Sequence, residues 1–265
     1  MMTLIKKFST GICHLQLNRP AKKNALNAAI LSELTRFFEE TATSSQFHVL
    51  VLSGNGGFFS AGADLDWMRQ ASSQSHEQNL ADAQLFNRLY AAMFHYPKPI
   101  VLRVDKGAYG GALGLLACAD VVTCGSDARF AFSEVRLGLV PATVAPWVVQ
   151  RIGAAKAREL FLSAAPFDAE TARAAGLVNH IFPGEKLDLK TRELATQIAQ
   201  NSPTALRATK VLLNRLALSV VPVDENLQAY CAGLIAEART APDGQEGVAA
   251  FFEQRKAKWN NSQGG

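Results

Sequence analysis

Residues 100–124 read IVLRVDKGAYGGALGLLACADVVTC. Ile100 to Val104, apolar except for Arg103 and stopped upstream by Pro97 and Pro99, predicts a strand. Gly110 to Ala119 opens on glycines and is apolar on every side, as a helix buried all round must be. Asp120 to Cys124 predicts a second strand. The apolar stretch from Ala108 to Cys124 is too short to span a bilayer, and it is broken by Gly110, Gly111, Gly114 and Asp120. Strand, glycine turn, buried helix, strand is the order of an α/β fold with largely buried parallel pairing.

The pattern extends in both directions. Ile12 to Leu17 alternates apolar and polar residues, as a half-buried strand does, and Asn18-Arg19-Pro20 ends it. From Leu26 to Thr41 apolar residues recur at helical spacing. Val49 to Leu52 is a buried strand closed by Ser53-Gly54-Asn55-Gly56-Gly57. A helix is expected to start near Asp64, and Ser72 to Leu80 reads as a polar connection. Arg129 to Phe132 predicts another short strand. Past Pro141 the segments Ala154–Leu162, Asp168–Ala175, Leu187–Gln200, Pro203–Leu216, Asp224–Ala238 and Asp243–Trp259 all read as helices. The expected organisation is an α/β body over residues 1–190 and a helical C-terminal region over 191–265, without linker, repeat or low-complexity tract.

Composition narrows the function classes. With 48% hydrophobic residues in 265, the chain has the apolar surface that disordered proteins lack. Cys13, Cys118, Cys124 and Cys231 are scattered without CxxC spacing, which predicts reduced core thiols in a cytoplasmic protein rather than a disulfide framework or a metal site. Net charge is +4 and there is no dense basic tract, so neither nucleic acid nor a membrane is expected as a partner. No targeting segment is expected at the N-terminus.

Three segments carry candidate chemistry. In Phe58-Phe59-Ser60-Ala61-Gly62-Ala63-Asp64-Leu65, small residues precede a helix start. A ligand could approach the backbone closely there, or the segment is a tight turn with Asp64 as N-cap. In Lys106-Gly107-Ala108-Tyr109-Gly110-Gly111, glycines lead into the buried helix, whose free amides could hold an oxyanion; the plain alternative is close helix packing. Glu134, in Phe132-Ser133-Glu134-Val135-Arg136, sits among apolar residues. Burial would raise its pKa into a useful acid–base range, unless it pairs with Arg136. Asp66 is a weak further candidate, more simply placed in the first turn of a helix.

These motifs in this order resemble the enoyl-CoA hydratase/isomerase, or crotonase, family. The resemblance also takes in Asn18-Arg19-Pro20, Asn24-Ala25-Leu26, Asp168…Ala172…Gly176-Leu177-Val178 and Phe251-Phe252-Glu253-Gln254-Arg255-Lys256. It implies a spiral of ββα units with a helical region that trimerises, as a trimer or a dimer of trimers. It also implies a CoA thioester as the ligand and no separate cofactor or metal. Two backbone amides, matching Ala63 and Gly111, would hold the thioester oxygen. Ala61, Asp64, Leu65 and Gly110 border that site. Lys22, Lys23, Arg255 and Lys256 match basic positions that reach CoA, the last pair being otherwise a solvated helix face. Of the two glutamates typical of hydratases, one falls on Glu134 and the other on Gly114, so one is missing. The segment from Phe132 to Thr143, with Ala63 to Met68, is similar to the branch of methylglutaconyl-CoA and isohexenylglutaconyl-CoA hydratases, whose substrates carry a second carboxylate. Arg69 or Arg136 could bind that group, or each is a surface ion pair. The expectations are therefore a hydratase, a Δ3,Δ2-enoyl-CoA isomerase using Glu134 alone, or a non-catalytic scaffold binding CoA or RNA.

Overall fold

The strand Ile12–Leu17 (β2) pairs in parallel with Val49–Gly54 (β3), Ile12 opposite Val49 and Leu17 opposite Gly54. Alternate residues on these strands face two cores. Cys13, Leu15, Leu17, Leu50 and Leu52 enter the main core, while Ile12, Val49 and Val51 meet a smaller one on the other face. Leu4–Ser9 (β1) flanks β2 antiparallel. Beyond β3 follow in parallel Ile100–Val104 (β4), Val121–Gly125 (β6) and His180–Phe182 (β9), giving a six-stranded sheet in the order β1-β2-β3-β4-β6-β9. The computed structural model describes residues 3–9, 11–218 and 225–255.

Helices cover both faces. Ala28–Thr41 (α1) starts where the Asn27 side chain accepts from the Ile30 amide, and it buries Ile30, Leu31, Leu34, Phe37 and Phe38. Gly184–Ala199 (α7) covers the other face with Ala195. The expected boundary between 190 and 191 falls inside this helix, which Pro203–Leu218 (α8) follows.

A second sheet of three strands joins Gly107–Tyr109 (β5), Arg129–Ala131 (β7) and Phe167–Asp168 (β8). Single bridges extend it: Leu26 pairs with Ala63, and Ser60 with Ala108. The chain thus lays the 58–65 segment, the glycine segment and the strand before Glu134 side by side, the mixed α/β arrangement of a ββα spiral.

The expected polar connection over residues 72–80 is shorter than predicted. Ser75 caps a helix, His76–Phe94 (α3), in a reciprocal capping box with Gln78. His76, Glu77 and Gln78 are simply its exposed first turn, while Asn79, Ala83, Phe86 and Tyr90 are buried. The predicted helix at Ala154 begins earlier. Ala145–Ser163 (α5) breaks at Gly153, whose φ of 76° interrupts the apolar periodicity. Leu65–Ala71 (α2), Gly111–Cys118 (α4) and Ala169–Ala174 (α6) fall where expected. Glu225–Thr240 (α9) and Pro242–Phe252 (α10) pack back on α3 and on the turn after β7, building a small core of Ala83, Leu139, Ala232, Ile235 and Val248. Asp224 and Trp259, the expected helix limits, lie outside the described residues, as does Lys256. Cys13, Cys118 and Cys124 are buried free thiols. No helix among the described residues is long and apolar enough to cross a membrane.

Candidate active site

The N-terminal Asn-Arg-Pro segment holds the first candidate loop from behind. Asn24, fully buried at φ 53°, donates to the carbonyls of Asn55 and Phe58 at 2.9 and 2.7 Å and accepts from the Arg19 amide. The Ser60 hydroxyl donates to the Asn24 carbonyl at 2.8 Å. Leu26 uses its own N–H and C=O on Gly62 and Asp64, at 2.7 and 2.8 Å. In such a parallel bridge the residue between those two turns its own N–H away. The Ala63 amide consequently faces the opposite side and donates to no described group.

The second amide comes from the glycine segment. Gly110 donates to Ala131 at 3.0 Å and adopts φ 48°, ψ −124°, a conformation open to glycine. That twist makes Gly111 the first residue of α4, where a helix leaves its N–H without an internal acceptor. The two segments are in contact: a Cβ on Gly62 would stand 2.5 Å from the Tyr109 carbonyl oxygen and 3.7 Å from the Gly110 Cα. Ala61, Ala63, Leu65, Gly110 and Gly111 all line one cleft of about 460 Å³, and so does Glu134.

Glu134 opens a tight turn, Glu134–Leu137, closed by Gly138 in the left-handed region at φ 68°. The Leu139 amide holds the Glu134 carbonyl at 3.0 Å, which fixes the backbone and leaves the carboxyl to the cleft. Oε1 lies 3.4 Å from where a Cβ on Gly110 would be. Oε2 is shielded from solvent and has no hydrogen-bond partner among the described residues. Burial pushes the pKa up to about 7. The alternative ion pair with Arg136 is not formed, because that side chain is exposed at the rim.

The other expected residues are placed as follows. Asp64 caps α2 by accepting from the Asp66 amide at 2.9 Å and holds Arg19 at 2.7 Å. Burial pushes its pKa up, but the Arg19 and Asp66 bonds outweigh it and the carboxyl sits below its ordinary value. Its contacts are with the protein, not the cleft. Lys22 pairs with Asp66 at 2.8 Å on the surface. The Lys23 ammonium lies 5.6 Å from the Phe58 ring centre, and its carbonyl anchors the Ala61 amide at 2.9 Å. Arg255 pairs with Glu246 and Glu253. Arg69 stacks on Phe252 at 4.2 Å instead of forming a surface ion pair.

Residues 7–262 match the family model for enoyl-CoA hydratase/isomerase. The chain belongs to the enoyl-CoA hydratase/isomerase family. It is 33% identical to the 2,3-dehydroadipyl-CoA hydratase of Escherichia coli, over 96% of this chain and 97% of that one. It is 29% identical to the mitochondrial Delta(3,5)-Delta(2,4)-dienoyl-CoA isomerase of Dictyostelium discoideum, over 96% of this chain and 89% of that one. The crystal structure of an enoyl-CoA hydratase from Shewanella pealeana superposes with a TM-score of 0.79 at 36% identity, covering 97% of this chain and 96% of that one. The chain is an enzyme of this family, whose named members include hydratases and isomerases of CoA thioesters.

Sequence reasoning missed Tyr90. A Cβ on Gly114 would meet its ring at 2.4 Å, so the tyrosine fills the room where family hydratases are expected to carry a second glutamate. Its hydroxyl donates to the Gly111 carbonyl at 2.6 Å. Without a helix predicted over 76–94, nothing aimed Tyr90 at Gly114.

Proposed function

We propose that the chain is an enoyl-CoA hydratase. The observation that carries the reading is a single shielded carboxyl, Glu134, in the same cleft as two backbone amides that have no internal acceptor. The thioester oxygen would sit against the Ala63 and Gly111 N–H groups, which stabilise negative charge as it develops. Glu134, as carboxylate, takes a proton from water while the oxygen of that water bonds to the β-carbon. The electron pair of the double bond moves through the α-carbon onto the thioester oxygen. The protonated Glu134 then returns a proton to the α-carbon, and the carbonyl re-forms. A pKa near the working pH suits a group that must do both.

The finer reading is a methylglutaconyl-CoA-like substrate, supported by the motif similarity around Phe132–Thr143 and Ala63–Met68. With it go assembly as a trimer or dimer of trimers and a cytoplasmic setting. Assembly is supported by Val211, Leu212 and Leu213, which leave apolar surface exposed on α8. The test is turnover of crotonyl-CoA and methylglutaconyl-CoA in heavy-oxygen water. Labelled 3-hydroxyacyl product supports hydration; no label with either thioester sinks it.

One observation favours a second reading. Tyr90 excludes a second carboxylate at Gly114, and one carboxylate suffices to move a proton between C2 and C4 of a 3-enoyl thioester. Conversion of 3-enoyl-CoA to the conjugated isomer without label uptake would select the isomerase.

A further inference from the structure

The cleft holds a charge that the chemistry above does not use. Arg239, on α9, lines the cavity among the apolar side chains Met68, Ile235, Val248 and Phe251. Its guanidinium forms no ion pair among the described residues, and its one side-chain hydrogen bond is a long one, 3.5 Å from Nη1 to Asn79 Oδ1. Asp82 favours its charge from outside ion-pair distance, and the shielded Asp82 Oδ2 bonds nothing. Burial pushes the guanidinium pKa down, as expected for a cation short of a counter-ion.

The surroundings aim it. Asn79 is fully buried, and its amide nitrogen is spent on the carbonyls of Ala71, Gln74 and Ser75 at 3.0, 3.4 and 3.2 Å, which leaves Oδ1 facing Arg239. Gln245 Nε2 bridges the carbonyls of Ser72 and Arg239 at 2.9 and 2.6 Å, tying α10 to both α2 and α9. Arg69, by contrast, is stacked on Phe252, and Arg136 is exposed. A largely apolar cleft that also presents a half-buried, oriented guanidinium matches an acyl chain that ends in an anion. Only arginine presents a planar fork for a carboxylate.

We propose that Arg239 receives a carboxylate at the far end of the acyl chain, so that unsaturated dicarboxylyl-CoA thioesters are the preferred substrate class. This rests on the hydratase reading of the same cleft. The experiment compares kcat/KM for three enoyl-CoA thioesters of equal length, ending in methyl, carboxylate and carboxylate methyl ester, with wild-type protein and Arg239→Gln. In wild type the carboxylate is expected to be preferred over both others by on the order of 10- to 100-fold, the range of a hydrogen bond to a charged group. In the variant that ratio should collapse toward one. Equal kcat/KM for the three in wild type overturns the proposal, and so does a folded variant that keeps the preference. The ester comparison needs no variant. If no thioester is hydrated or isomerised, the catalytic reading fails by itself, and calorimetry with saturated glutaryl-CoA against butyryl-CoA still decides Arg239. Tighter glutaryl-CoA binding that Arg239→Gln abolishes supports it; equal binding overturns it.

Discussion

Tyr90 and Gly114 share one volume: a side chain at position 114 would begin 2.4 Å from the carbon that bears the phenol hydroxyl. Gly114→Glu is therefore expected not to rebuild a two-carboxylate site, since the new side chain and the ring exclude each other. Even Gly114→Ala should lower stability by about 1–3 kcal/mol, the range for overpacking a filled core. Urea denaturation measures this, and Gly114→Ala combined with Tyr90→Leu should recover part of the loss.

Glu134 yields a prediction in which activity and stability move in opposite directions. Its folded pKa is about 7 against an ordinary 4.5, so between those values the folded chain holds a proton that the unfolded chain has released. Stability must fall as pH rises through that window. Glu134→Gln should remove this fall and leave the variant more stable than wild type above it, by on the order of 3 kcal/mol. Turnover should be lost in the same variant. In wild type kcat/KM should climb as pH rises toward and past 7, following the carboxylate. Chemical denaturation across pH, beside a pH–rate profile, checks both halves.

Gly62→Ala tests the alignment of the first amide. At φ 84° with the Tyr109 carbonyl 2.5 Å from the new methyl, the loop must shift, and the Ala63 N–H shifts with it. The expected loss is on the order of 10²- to 10³-fold in kcat, comparable to removing an oxyanion donor. A kcat loss no larger than tenfold in a folded variant would contradict the role given to Ala63.

Asp64→Ala removes a helix cap and leaves Arg19 without its carboxylate. A cap alone is worth about 0.5–2 kcal/mol. Because the Asp64 carboxyl sits below its ordinary pKa, its contribution is complete above the unfolded carboxylate range and fades as pH falls through the folded value. Wild type and variant should differ most near neutral pH and converge in strong acid, which denaturant midpoints at both extremes would show.

Strands β2, β3, β4, β6 and β7 and the buried helix were legible from local apolar runs or alternation, such as the run at β3 and the all-round apolar stretch at α4, whereas β1, β5, β8 and β9 are too short or too polar to announce themselves. α3 was missed altogether: its capped, solvent-exposed first turn looks like a loop, and buried Asn79 and Asn87 blur the apolar stripe that follows. The glycine segments and Glu134 stand out as local anomalies of composition, and their convergence is a matter of the bridges Leu26–Ala63 and Ser60–Ala108, which no local pattern encodes. Arg239 was invisible for a related reason. On paper it is one more cation near the end of a helix, and only the fold-back of α9 over the cleft sets it apart.

The cleft is built from two kinds of wall. Ala63, Gly111 and Glu134 hang from strands and bridges of the sheets, while Ile235, Arg239, Val248 and Phe251 belong to helices that lie outside them. Substitutions in the outer wall can therefore alter which thioester is accepted while leaving the reacting end in register.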